Sequence, residues 1–179
     1  MPRQVVRMMG GRLYFVCRLR FHGSDAFVIW YGNERDGFSR APDGRLLCAP
    51  THEGIAATAA ASGIAFDLDK VTDYDFDQLE QWCRTPRAEQ VDCPALLNAW
   101  NFFDDLAGLH DRPDTPYAQR SRGAARSYDK LFWGCNLPSV TPVGEHFEPF
   151  WRPEELAEIR AVMEAGLALL AAELNPQHR

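Results

Sequence analysis

From Arg12 to Phe21 the chain reads RLYFVCRLRF, so that Leu13, Phe15, Cys17, Leu19 and Phe21 alternate with Arg12, Tyr14, Val16, Arg18 and Arg20. Side chains on a strand point to opposite faces in turn, and a period of two predicts a half-buried strand. Strand backbone groups need hydrogen-bonded neighbours, so this run commits the chain to a sheet. His22-Gly23-Ser24-Asp25 supplies a turn, and Ala26 to Tyr31 is a second β-rich run. Together they predict an antiparallel hairpin. Pro42-Asp43-Gly44 marks a longer loop before a short third strand, Arg45 to Ala49.

The pattern then changes. Thr51 is a good N-cap for a helix running through Ile55 and the alanines to Gly63. Ile64 to Leu68 reads as a fourth strand, completing a β-α-β unit that favours parallel pairing. Thr72 or Asp73 is expected to cap a helix from about Phe76 to Cys83. Pro94 opens the strongest helix, Ala95 to Leu109, whose apolar stripe includes Leu96, Leu97, Trp100, Phe103 and Leu106. Residues 112–127, with Pro113, Pro116 and Gly123, are expected to be an exposed loop. Tyr128 to Trp133 is short and apolar, and Asn136 to Pro149 is irregular and rich in proline. Pro153 begins a last helix to about Leu174, with Glu154 and Glu155 at its positive end. At 179 residues the chain suits one domain. The expected class is α+β: a small mixed sheet of about four strands, an N-terminal hairpin plus one β-α-β unit, packed by C-terminal helices.

The net charge of −6 argues against general nucleic-acid binding and against docking on anionic membranes. It suits a basic protein partner. The 5 cysteines are odd in number and show no C-x-x-C spacing, and the opening stretch has no apolar leader. Reduced thiols in the cytoplasm are the expectation.

Asp67, Asp69, Asp73, Asp75, Asp77 and Glu80 lie close together against one lysine, Lys70. The run imitates the start of a calcium loop, but Gln78 stands where glycine is needed and Arg84 where a bidentate glutamate is needed. A partner-binding acidic surface of Asp69, Asp73, Asp75, Asp77 and Glu80 is expected instead. Asp104 and Asp105 are adjacent carboxylates suited to acid–base work or to pairing with Arg120, Arg122 or Lys130. Cys135 is a candidate nucleophile, with His110 or His146 as base and Asp105 or Glu145 as orienter, although no protease-like context flanks it. Arg112, Arg120, Arg122 and Arg126 suit a clamp for phosphate or carboxylate, or a balance to the acidic segments. His22, His52, His110, His146 and His178 are scattered without metal-ligand spacing. Gly10-Gly11 precedes a strand, so it is no phosphate cradle. No metal or cofactor is expected.

The segments LLNAWNFFDDLA (Leu96 to Ala107) and YDKLFWGCNLPSVTP (Tyr128 to Pro142) resemble a pattern in small bacterial proteins with no assigned activity, over about residues 45 to 172. The resemblance implies no catalytic residue. In size, acidity and lack of a catalytic signature the chain is also similar to cytoplasmic immunity proteins, which bind and neutralise a toxin domain. Three functions are therefore expected in competition. They are a protein-interaction module of immunity type, a small cytoplasmic enzyme built near Asp104, Asp105 and Cys135, and a structural module that forms homo-oligomers.

Overall fold

The computed structural model describes residues 13–32, 36–64, 70–110 and 114–174. The chain divides into two compact units, Met1–Asp77 with Glu173–Arg179, and Gln78–Ala172.

In the first unit, β1 (Leu13–Phe21) and β2 (Ser24–Gly32) pair antiparallel from Leu13↔Gly32 to Phe21↔Ser24. The two turn residues, His22 and Gly23, have φ of 51° and 71°. That positive pair matches the twist of a tight hairpin. β3 (Gly37–Phe38) and β4 (Cys48–Ala49) add short antiparallel pairings to β2, and β5 (Val71–Asp75) pairs parallel with β1. The order is β3-β2-β1-β5, with β4 also on β2. Between β4 and β5 runs α1 (His52–Ala61), whose cap Thr51 accepts from the Gly54 N–H at 3.0 Å. Ile55 and Ala59 of α1 are buried with Val16, Ile29 and Leu47 in one apolar cluster. A parallel strand after α1 is therefore present at Val71–Asp75, while most of the expected strand Ile64 to Leu68 lies outside the described residues. Of that earlier run only Ile64 lies within the described residues, and its N–H bonds the Ala59 carbonyl at 2.9 Å, closing the helix. Thr72 and Asp73 belong to β5 rather than to a helix cap. The Asp73 carboxylate is taken by Arg18 across the ladder, 2.7 Å away, which removes the competing use of that side chain as a cap.

α2 (Phe76–Arg84) leads into the second unit, which holds α3 (Cys93–Gly108), α4 (Pro116–Gly123), α5 (Ala125–Gly134) and most of α6 (Pro153–Leu174). Among the described residues a mixed sheet and six α-helices make the class α+β. α3 starts earlier than its apolar stripe suggests, because Asp92 accepts from the Ala95 N–H at 3.0 Å. The expected loop over 112–127 is corrected: it holds α4 and the first turn of α5. Thr115 caps α4 through the Ala118 N–H at 3.1 Å, and Pro116 sits in its first turn. Pro116 breaks a helix only from inside; at the start its missing N–H costs nothing. Tyr117 ties α4 down, donating to the Trp100 carbonyl at 3.1 Å and to Asp104 at 2.8 Å. Trp100 in turn donates from its indole to Ser121 at 2.9 Å. α5 is tied to α6 by Ser127, which donates to Glu158 at 2.7 Å.

α3 and α6 approach closely at Gly166, where an added Cβ would stand 2.1 Å from the Phe103 ring. Phe103 is fully buried. Gly166→Ala would gain about 1 kcal/mol of helix propensity, yet overpacking a closed core costs about 1–3 kcal/mol, and more when backbone must shift. Urea unfolding should show net destabilisation of about 1–3 kcal/mol. A variant as stable as the parent would mean that the helices separate freely.

Candidate functional site

The site is built on the end of α5. Its last carbonyls are met by the Cys135 N–H, which bonds Leu131 at 3.1 Å and Phe132 at 3.2 Å. Asn136 follows with φ of 48°, a left-handed conformation that asparagine tolerates better than most residues. Its side-chain amide then mimics a strand partner. Nδ2 donates to the Phe147 carbonyl at 3.0 Å, and Oδ1 accepts from the Phe147 N–H at 2.7 Å. These two bonds close residues 137–146 into a loop whose ends touch, the hallmark of an Ω-loop. Inside it the Val140 and Thr141 N–H groups bond the Leu137 carbonyl at 3.0 and 2.9 Å, and Glu145 N–H bonds Pro142 at 3.1 Å.

The exit is pinned too. Lys130 on α5 donates to the Phe150 carbonyl and to both oxygens of Glu155, at 2.9 and 2.7 Å. Its ammonium lies 5.0 Å from the centre of the Trp151 ring. Glu155 also accepts from the Arg152 N–H at 2.9 Å, capping α6. Burial alone would raise the Glu155 carboxyl, but the hydrogen bonds from Lys130 and Arg152 outweigh it and hold it below the ordinary glutamate range.

This fixed loop faces solvent with apolar side chains. Leu137, Val140, Val143, Phe147 and Phe150 are exposed, as is Trp133 on α5; Val143 and Phe150 reach 106% and 78%. Among the described residues, the only other large apolar side chains this exposed are Phe15 and Val71. Such clustering marks a contact surface more often than chance. Glu145, His146 and Glu148 are exposed between them.

Two of the residues singled out from sequence have structural partners of their own, Asp104 in Tyr117 and Ser121 and Cys135 in the Leu131 carbonyl. Asp104 is exposed overall, but Oδ1 turns in to accept from Tyr117 at 2.8 Å and Ser121 at 3.1 Å. Local burial pushes its carboxyl up, against these two bonds that pull it down. It serves the α3–α4 junction. Cys135 donates its S–H to the Leu131 carbonyl at 3.2 Å, and its thiol is pushed up by burial and then by Asp92. An activated nucleophile needs the opposite shift. His110 follows the end of α3, and His146 lies in the loop with Glu145. Among the described residues no group of three or more His, Cys, Asp and Glu is placed to hold a metal ion. Arg122 reaches Asp114 at 3.6 Å; Arg120 and Arg126 sit on α4 and α5, and Arg112 lies outside the described residues.

Asp67 and Asp69 also lie outside the described residues. The rest of the acidic run is interleaved with arginines. Asp73 pairs with Arg18 at 2.7 Å; Asp77 accepts from the Gly23 N–H at 3.0 Å and stands 3.9 Å from Arg20. Asp75 lies in register opposite Arg20. Glu80 pairs with Arg84 at 3.5 Å. Sequence reasoning missed the clamped loop as a site, although the segment was conspicuous for its tryptophan, glycine and prolines. The missing signal was the pairing of Asn136 with Phe147.

No helix among the described residues is long and apolar enough to cross a membrane. No protein-family model, curated protein or solved structure matches this chain.

Two outcomes are expected. In Asn136→Gly the left-handed backbone is kept and only the side-chain bonds are lost, at about 1–3 kcal/mol. The Phe147 amide should then exchange faster and residues 137–146 become protease-sensitive; unchanged protection would show that the loop does not depend on the clamp. For Glu155, a depressed folded pKa means that its stabilisation is present above the unfolded value of about 4.3 and is lost as pH falls through the lower folded value. Glu155→Gln should cost about 1–2 kcal/mol at pH 7 and nothing at pH 2 in urea titrations. An equal cost at both pH values would contradict the ion-pair origin.

Proposed function

We propose that the chain is a protein-interaction module whose contact surface is the clamped loop from Leu137 to Phe150, with Trp133 beside it. One observation carries the reading: a loop fixed at both ends holds its largest apolar side chains in water. The partner that fits is a basic protein with an apolar cleft. Phe150, Val143 and Trp133 are its anchors, while Glu145, Glu148 and the net charge of −6 steer it in. A toxin-like basic domain, neutralised in the cytoplasm as immunity proteins do, is the sharpest form of this proposal. The acidic run at Asp73, Asp75, Asp77 and Glu80 serves long-range attraction here, not anchoring. Neither the clustered carboxylates of α3 nor Cys135 favours the enzyme reading.

The test compares three baits: the parent, Val143→Ser/Phe150→Ser, and Asp73→Asn/Asp75→Asn. A protein captured by the parent should bind the loop variant about tenfold or more weakly and the aspartate variant nearly as well. Equal binding by the loop variant, with loss in the aspartate variant, would move the surface to β5. Concentration-dependent dimers of the parent that vanish in the loop variant would make the partner a second copy of this chain.

A further inference from the structure

Cys93 opens α3 and Cys135 caps α5, and the two helix ends meet at Gly134. A Cβ on Gly134 would stand 2.5 Å from the Cys93 sulfur. The sulfur thus rests on the residue bonded to Cys135, whose Cα is only about 3.8 Å further along. A disulfide needs Cα atoms about 4–7 Å apart, which this packing permits. Cys93 also feels its neighbour: burial first, and Cys135 second, push the Cys93 thiol up to about 11. Cys17 and Cys83 are buried and pushed up to about 12 chiefly by burial, and Cys48 is pushed up by burial first, with Arg45 opposing and Asp43 and Glu173 adding to the shift.

We propose that Cys93 and Cys135 are a thiol–disulfide pair at the base of the loop, closed by a small-molecule disulfide such as oxidised glutathione. Cys135 is partly exposed and Cys93 buried, so Cys135 reacts first. Its thiolate attacks one glutathione sulfur, forming a mixed disulfide and releasing a glutathione thiolate that takes up a proton. The Cys93 thiolate then attacks the Cys135 sulfur, forming the protein disulfide and releasing the second glutathione thiolate. The protein thiols give up two electrons and two protons, and the glutathione disulfide leaves as two thiols. Thiolates are scarce when thiol pKa values are raised, so closure speeds up with rising pH. Intracellular disulfides of this kind are usually transient and sensing.

The bond would cost Cys135 its S–H donation to Leu131 and shift the backbone at Asn136, which holds the loop. This consequence for binding rests on the interaction reading; the bond itself does not. The experiment incubates the full chain with graded oxidised and reduced glutathione at pH 8, alkylates free thiols and maps peptides by mass. The expected product is a Cys93–Cys135 cross-linked peptide, lost in Cys93→Ser and Cys135→Ser and kept in Cys17→Ser and Cys48→Ser. Glutathione that remains on Cys135, with Cys93 alkylated, would overturn the pair. A cross-link with unchanged partner affinity would uphold the pair and refute its control of the loop. Failure of the Val143/Phe150 variant to weaken binding would refute the interaction reading and leave the cross-link standing.

Discussion

The ring of Phe103 fills the space that any side chain at residue 166 would need, and this contact sets how closely α3 and α6 pack. Most of the second unit is then hung on α3. One side of it holds α4 through Tyr117 and Ser121, which converge on Asp104. Another holds α5, through the edge-on contact of Trp100 with Tyr128 and the bond from the Tyr128 hydroxyl to Asn101 at 2.8 Å. At its first turn, Cys93 seats Gly134. α5 therefore has its axis fixed at two heights, and Lys130, Gly134, Cys135 and Asn136 are placed before the loop begins. The loop inherits its position from a core contact between α3 and α6.

Fixing a loop costs about 1–2 kcal/mol per residue in backbone entropy, and two hydrogen bonds from Asn136 return only about 1 kcal/mol each. The difference is made up by devices spread along the segment. Proline at 138, 142 and 149 narrows the unfolded ensemble. Gly144, with φ of 87°, turns the chain where other residues would be strained. Pro149 packs 3.0 Å from the Cβ position of Gly134, and Lys130 binds the exit. A surface ordered before contact loses less entropy on binding. Order of this kind around exposed Val143 and Phe150 is hard to account for by folding stability alone, because burying those side chains would stabilise the fold more than displaying them.

What could be read locally was read in the sequence. The period of two at β1, the turn at His22-Gly23, the Thr51 cap and the stripe of α3 depend on neighbours within a turn or a pleat. Where a residue's role is decided by a distant partner, local reading failed. Asp73 looks like a helix cap until Arg18, 55 positions away, takes its carboxylate and leaves the segment as a strand. Pro116 looks like a loop residue until Thr115 and the buried Tyr117 show that it starts a helix. Asp104 looks like an acid–base group until Tyr117 and Ser121 claim its oxygen. The class α+β survives such errors because it rests on the summed periodicity of long segments.

The same physics ranks the acidic run and the clamped loop as surfaces for the proposed partner. On the acidic run Asp73, Asp77 and Glu80 each have an arginine at hand, and the Arg18–Asp73 pair is 47% and 61% exposed. Exposed pairs of this kind contribute about 0–1 kcal/mol and are screened beyond roughly 8–10 Å in physiological salt. A partner would have to break or share them, so the net gain at contact is small, and their value lies in attraction before contact. The loop has no such internal competitor. Its apolar side chains already give up water only at the cost of being ordered, and that cost is met in the free protein. Each large side chain that is fully covered is worth about 1.5–3 kcal/mol. Two anchors would therefore outweigh the whole acidic run, which is why attraction and adhesion are assigned to different parts of this chain.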